Sequence, residues 1–324
     1  MSAAADMMEV SPAPASRNWA AAVVGLCLLL ACVAPLGLNG YGLYLLTLTE
    51  IFVLVALGLN LLTGYAGQIS LCHSAFFGVG AYATAILTQK AGVPYLLSLL
   101  LGALLTTAIG ALAAIPALRL KNIYLAIATL GFGVVLQKII FEWRGLTGGG
   151  GGLALTAPRI AGYELGATGL YYLTLALMSV GLFGAWNVSR GRTGRALLAI
   201  KDSEIAAGSL GIHAAQYKVI AFAISAFYAS IAGGLFAYLV RYINPESFSV
   251  GLSISFLSMV VIGGLGTIGG SILGAAFYVI VPELLRGIKD APGLVFGLLL
   301  VVVMVFMPQG LWGMLRRIWR RSAG

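Results

Sequence analysis

The chain has 324 residues, 60% of them hydrophobic and only 9% charged, with a formal net charge of +9. A mean hydropathy of +1.00 and unbroken apolar runs of about twenty residues exceed what a soluble core of this length uses, which predicts an all-α, polytopic helical membrane protein. The runs are continuous rather than alternating, which excludes an outer-membrane barrel. The basic residues gather in loops, where they report orientation rather than nucleic-acid binding.

In chain order, residues 1–18 read as a cytoplasmic tail, 19–315 as the membrane domain and 316–324 as a basic cytoplasmic tail. About ten membrane segments are predicted. They are Trp19 to Leu36, Leu43 to Leu62, Ile69 to Thr88, Pro94 to Leu118, Ile123 to Phe141, Gly169 to Val188, Val219 to Val240, Leu252 to Ile262, Ser271 to Leu285 and Leu294 to Met307. "LLAC", ending at Cys32, resembles part of a lipoprotein cleavage box. Asp6 and Glu9 precede the run with only Arg17 as a base, so it is expected to stay as the first span. Cys27, Cys32 and Cys72 lie in apolar segments with no CxxC or His/Cys spacing, so neither a metal nor a redox site is expected.

With both termini in the cytoplasm, the inner loops hold 12 of the 19 basic residues, including the group from Arg190 to Lys218 and the tail "RRIWRR", Arg316 to Arg321. One long span over Leu252 to Leu285 would send that tail outside. Two segments joined by the turn "GGLGTIGG", Gly263 to Gly270, keep it inside. A second uncharged turn, "GYAG" at Gly64 to Gly67, joins the second and third segments. Glycine permits positive φ and close backbone approach, and non-helical backbone at membrane depth persists only where protein or a wet cavity satisfies it. Gly64, Gly67, Gln68, Ser70, His73, Gly263, Gly264 and Gly266 are therefore candidates for lining a translocation path; the alternative is that these glycines only let helices pack. The run Gly148 to Gly152, in the longest outer loop, reads as a flexible connector in preference to a substrate contact.

Ionisable residues in apolar segments are costly, which singles out Glu50, His73, Lys138 and Glu142. Lys138 and Glu142, four apart, are expected to form an ion pair on one helix face. Glu50 reads as a buried packing acid or a path residue, and His73 as a path residue or a satisfied interior histidine.

One polar interlude stands out, "GRALLAIKDSEIAAGSLGI", Gly194 to Ile212, within the inner loop 190–218. It is too polar to cross, yet Leu197, Leu198, Ile200 and Ile205 give it something to bury. Asp202 is expected to cap a short helix with Glu204 at the positive end of its dipole, and Gly211 to end it. Ala206, Ala207 and Gly208 would offer a surface of small residues to another protein. Arg195, Lys201, Asp202, Glu204, Ala207, Gly208 and Gly211 form this candidate docking element; an ordinary basic inner loop is the alternative.

"EIAAGSLGI" followed by "KVIAFAISAFYASIAGGLFA", Lys218 to Ala237, resembles the EAA-type coupling loop and following helix of bacterial ABC importer permeases, in particular the M-type permeases of the Liv branched-chain amino acid systems. "LGLNLLTGYAGQISLCHSAFFGVGAYATAIL", Leu57 to Leu87, is similar to that family's signature in the first half, although Cys72 stands where the family usually has glycine. "YLAIATLGFG", "LTGGGGGL", "VIGGLGTIGGSILGA" and "MPQGLWG", from Tyr124 to Gly313, extend the resemblance over most of the chain. It implies an alternating-access permease of about ten helices in the inner membrane, paired with a second, H-type permease and two ATPase subunits and fed by a periplasmic binding protein. It places the ATPase contact at the interlude.

The chain contains no GxxxxGK[ST], so ATP hydrolysis falls to a partner and no cofactor is expected. Urea and short-chain amide permeases share these signatures and remain an alternative. An ion-coupled secondary transporter is the rival of a different class, with Glu50 as its one deep carboxylate. A membrane enzyme would need paired carboxylates, HExxH or a nucleophile with its base, none of which the sequence offers.

Overall fold

The computed structural model describes residues 31–35, 37–120, 122–160, 162–285, 297, 301 and 310–322. Most of the expected segments Trp19 to Leu36 and Leu294 to Met307 lies outside these residues, and all of the tail 1–18 does. Within them the chain is mostly helical, and five helices are long and apolar enough to cross a membrane.

The first of these, α1 (Gly40–Asn60), opens on Asn39, whose side-chain oxygen accepts from the N–H of Gly42 at 3.0 Å. It ends in a π-helical turn, Leu61–Tyr65. The chain then runs irregularly from 66 to 72 before α2 (His73–Gln89). The third segment thus begins at His73 rather than Ile69, because the intervening backbone bonds outside any helix: Gln68 N–H donates to the carbonyl of Leu62 at 3.1 Å and Leu71 N–H to Thr129 Oγ1 at 3.0 Å. Next come α3 (Tyr95–Ala113), α4 (Asn122–Glu142) and α5 (Ala167–Arg190). Two short helices, α6 (Arg192–Asp202) and α7 (Glu204–Ser209), lead into α8 (Ala214–Val240). As expected for the eighth and ninth segments, α9 (Val250–Gly263) and α10 (Ile268–Leu284) are short and joined by a tight turn, and α11 (Gly310–Ser322) closes the described chain.

Helices α1 and α8 form the centre, packed on each other; α8 also meets α2 and α3, and α1 meets α5 and α10. In α3 the pattern of a soluble helix is inverted. Ser98, Gly102, Thr106 and Gly110, at every fourth position, turn inward, while Leu97, Leu101, Leu104, Leu105 and Leu112 are exposed. Lipid is as apolar as leucine, so the gain comes from letting backbones approach, which small residues do best. The hydroxyls of Thr106 and Ser230 meet across this contact at 3.0 Å.

One end of the bundle carries α6, α7 and both glycine turns. At the opposite end, β1 (Leu153–Ala154) pairs antiparallel with β4 (Tyr242–Ile243), and β2 (Arg159–Ile160) with β3 (Tyr163–Glu164), two short ribbons on a fold that is otherwise helical as expected. The Gly148 to Gly152 run is not a free connector. It folds into a 3-10 turn at Gly149–Gly151, the Tyr242 hydroxyl donates to the Gly151 carbonyl at 3.0 Å, and Lys90 Nζ donates to the carbonyls of Gly145 and Leu146 at 3.0 and 2.7 Å. Lys138 makes no ion pair with Glu142 among the described residues. Its ammonium stands 5.3 Å from the ring centroid of Phe141, a cation–π contact one residue nearer along the helix.

Candidate functional site

In α6 the apolar residues at 197 and 200 are one helical turn apart, so one face can be buried. Leu197 and Ile200 are enclosed, while Arg195, Leu198, Lys201 and Asp202 are exposed. Arg195 Nη1 donates to the carbonyl of Arg190 at 2.8 Å, a cation on the last carbonyls of α5. Ser203, not Asp202, caps α7: it breaks the helix at φ −159° and ψ 111°, and its Oγ accepts from Ala206 N–H at 3.3 Å. Asp202 is instead the last residue of α6. Gly211, at φ 80°, ends α7 with Ile212 N–H bonded to the Ala207 carbonyl at 3.0 Å, a Schellman closure that favours glycine there.

The outward face of α7 differs from the expected strip of alanines. Ala207 is turned inward, 2% exposed, and Ile205 is not buried. Ile205 and Leu210 stand 84% and 80% exposed, flanking Gly208, above which there is open space. Three-residue spacing puts 205 and 208 on one side of the helix and 207 on the other. Glu204 turns back to the bundle. Its Oε1 accepts from Lys218 Nζ at 3.0 Å, and that buried ammonium lies 3.4 Å from the carbonyl of Ala117.

Lys201 joins this segment to the first glycine turn. Its Nζ donates to the carbonyl of Gly64 at 2.8 Å, and its stem lies over Gly67, whose φ is 66°. The carbonyls at the end of α1 lack helical partners and carry the negative end of the dipole, so an ammonium is well placed there. Gly64 in turn lies directly against the second glycine turn: a Cβ on it would overlap Asn60 Oδ1 and the backbone nitrogen of Gly266. Asn60, only 2% exposed, clamps that turn. Its Oδ1 accepts from Gly266 N–H at 2.8 Å, and its Nδ2 donates to the Thr267 carbonyl at 2.7 Å and to Ser271 Oγ at 3.0 Å.

The second turn is built by glycines at positive φ, Gly264 at 121° and Gly266 at 72°, followed by Thr267, whose Oγ1 accepts from Gly270 N–H at 3.2 Å and caps α10. Gly263 lies in the same turn, where a Cβ would strike the carbonyl of Gly270. From the other side, the start of α11 closes over it. A Cβ on Gly310 would come within 2.5 Å of Gly264 Cα, and the Trp312 ring covers Gly269.

Of the candidate path residues, the structure brings Gly64, Gly263, Gly264 and Gly266 together beside α6, and sets Ser70 and His73 deeper. His73 is fully buried, with Nδ1 3.1 Å from Ser70 Oγ and Nε2 2.5 Å from Ser225 Oγ, eleven residues or roughly 16 Å into α8. Cys72 packs there too, 3.3 Å from Ser70 Oγ and over Gly133 of α4, so the departure from glycine is taken up by the core. Between these sites, Gly67 and Ile69 are exposed, while Gln68 is buried with its Oε1 unpartnered among the described residues. Asn60 and Ser225 escaped the sequence reading, which looked for ionisable groups. An asparagine within the apolar run "LVALGLNLL" was the available signal.

Residues 41–308 match the family described as "Branched-chain amino acid transport system / permease component". The chain is 34% identical over 314 residues to the high-affinity branched-chain amino acid transport system permease protein LivM of Escherichia coli, covering 89% of this chain and 74% of that one. It is 33% identical to LivM of Salmonella typhimurium over 322 residues, 92% and 76% of the two chains. To the autoinducer 2 import system permease protein LsrC of an Enterobacter species it is 29% identical over 241 residues, 71% and 66% of the two. A match over most of the length, across both glycine turns and the segment between α5 and α8, places the chain in the family of permease components of branched-chain amino acid transport systems.

Proposed function

We propose that this chain is the membrane-spanning permease subunit of an ATP-driven importer of branched-chain amino acids, seated in the bacterial inner membrane with both termini in the cytoplasm. Its partners in this reading are a second, H-type permease, two cytoplasmic ATPase subunits and a periplasmic binding protein. The observation that carries it is the outer face of α7, where Ile205 and Leu210 stand open beside a bare Gly208 at the end of the bundle that holds the basic loop. Apolar side chains so exposed on a short helix outside the spans are paired when a partner covers them. The irregular stretch 66–72, which runs from Gly67 and Ile69, exposed at the α6 end, to the buried Ser70 and His73, borders the translocation path in this reading. The names of the LivM relatives supply the substrate class.

The test is to purify the tagged chain from its native membranes with whatever it retains, and to reconstitute it with its binding protein. ATPase subunits should co-purify. Leucine uptake should need ATP, survive a protonophore, and be blocked by excess isoleucine or valine. Uptake driven by an ion gradient without ATP would overturn the reading in favour of a secondary transporter, for which Glu50, buried in α1 with Oε2 unpartnered among the described residues, is the coupling carboxylate. Uptake blocked by urea or short amides and not by isoleucine would change the substrate class.

A further inference from the structure

We infer that Lys201 and Asn60 are positioning residues that carry movement of the α6–α7 segment to the turn between α9 and α10, through the backbone of Gly64; this rests on the importer reading above. Three contacts make the connection. Lys201 Nζ holds the Gly64 carbonyl at 2.8 Å, Gly64 lies on Gly266 with no side chain between them, and Asn60 holds Gly266, Thr267 and Ser271 with three hydrogen bonds. They span 137 and 206 positions of sequence, so they link separate elements rather than neighbours in the chain.

The two ends of the connection differ in a way that suits transmission. Lys201 is exposed and grips one carbonyl through a long stem, so it follows α6. Asn60 is buried and fixed by donor and acceptor at once, so α1 and the α9–α10 turn move as one piece. Between them sits the π-helical turn Leu61–Tyr65, whose closing bond from Ala66 N–H to the Leu61 carbonyl is long at 3.3 Å. A π turn is a local under-winding that holds one residue more than an α turn and recurs at functional positions, and it is here, at Gly64, that the pull of Lys201 enters the end of α1. A second tie of the segment, Glu204 to Lys218, acts on the start of α8.

The experiment uses the complete complex, purified with its ATPase subunits and reconstituted with its binding protein, and reads leucine taken up per ATP hydrolysed. In Lys201→Met, read on complexes that retain their ATPase subunits, uptake per ATP should fall by about tenfold. Lys201→Arg, which keeps a donor of similar reach, should restore it to within about threefold. Asn60→Asp keeps the acceptor for Gly266 but loses both donations, and should lose coupling likewise. Because the two residues act through one backbone, the double variant should be no worse than the poorer single one within about twofold.

Wild-type uptake per ATP in both Lys201→Met and Asn60→Asp overturns the inference, and so does a double loss equal to the product of the single ones. Loss of the ATPase subunits from Lys201→Met overturns it in favour of a docking role. Failure of the importer reading is distinct: the wild-type chain itself would bring no ATPase and show no ATP-dependent uptake, and the inference would fall with it.

Discussion

Glu204 and Lys218 form an ion pair at 3.0 Å in which the lysine side chain is 4% exposed and the glutamate 34%. The ammonium therefore depends on the carboxylate and on the Ala117 carbonyl far more than the carboxylate depends on it. Charge reversal, Glu204→Arg, would face a buried cation with a second one. It should lower stability by about 1–3 kcal/mol, the partial exposure of Glu204 softening the loss. Glu204→Gln should cost less, and the double change Glu204→Leu with Lys218→Met should recover most of it. Thermal unfolding of the detergent-purified chain reads all three, and a Glu204→Arg midpoint equal to wild type would show that the pair contributes nothing.

Gly208 gives a cleaner probe of docking, because nothing lies within 4 Å of where its Cβ would be. Gly208→Trp should leave folding and membrane insertion unchanged and still reduce recovery of ATPase subunits in a pull-down by tenfold or so, since a ring there blocks close approach between Ile205 and Leu210. Full recovery would move the docking surface elsewhere.

Gly64 and Gly131 separate packing from composition. A methyl group on Gly64 overlaps Asn60 and Gly266, whereas Gly131, within α4, has no neighbour within 4 Å. Gly64→Ala should cost about 1–3 kcal/mol and impair uptake. Gly131→Ala should be neutral, or stabilising by up to about 1 kcal/mol, as expected for alanine replacing an unconstrained helical glycine. Equal tolerance at the two positions would make the first turn an ordinary connector.

Orientation is decided by two exposed residues at opposite ends of the bundle, Tyr163 on β3 and Leu210 after α7, with the 24-residue α5 between their ends. In a functional variant lacking the three native cysteines, Tyr163→Cys should react with an impermeant thiol reagent from the periplasmic side only, and Leu210→Cys from the cytoplasmic side only. The opposite pattern would invert the topology.

The sequence by itself determined the class of the molecule, most boundaries of the described segments and a polar segment between α5 and α8, because runs of apolar residues, loop charge and glycine turns are local signals. Segments expected at Pro94 to Leu118 and Val219 to Val240 contain α3 and overlie most of α8, and the short pair around Gly263 to Gly270 is found as α9 and α10. Caps were less legible. Asp202 and Ser203 are both good N-cap types, and only the extension of α6 through Asp202 chose the serine. Which face each element shows was decided by the tertiary structure. Ala207 turns in and Ile205 out because α7 rests on the start of α8 through Glu204 and Lys218, a contact that no periodicity in a six-residue helix can announce. The juxtaposition of the two glycine turns likewise depends on Asn60 reaching across 206 positions to Gly266. A neutral amide in an apolar run carries no charge to flag it. Its importance follows from burial, where an amide must find partners for both its oxygen and its nitrogen, and only the folded chain brings those partners to it.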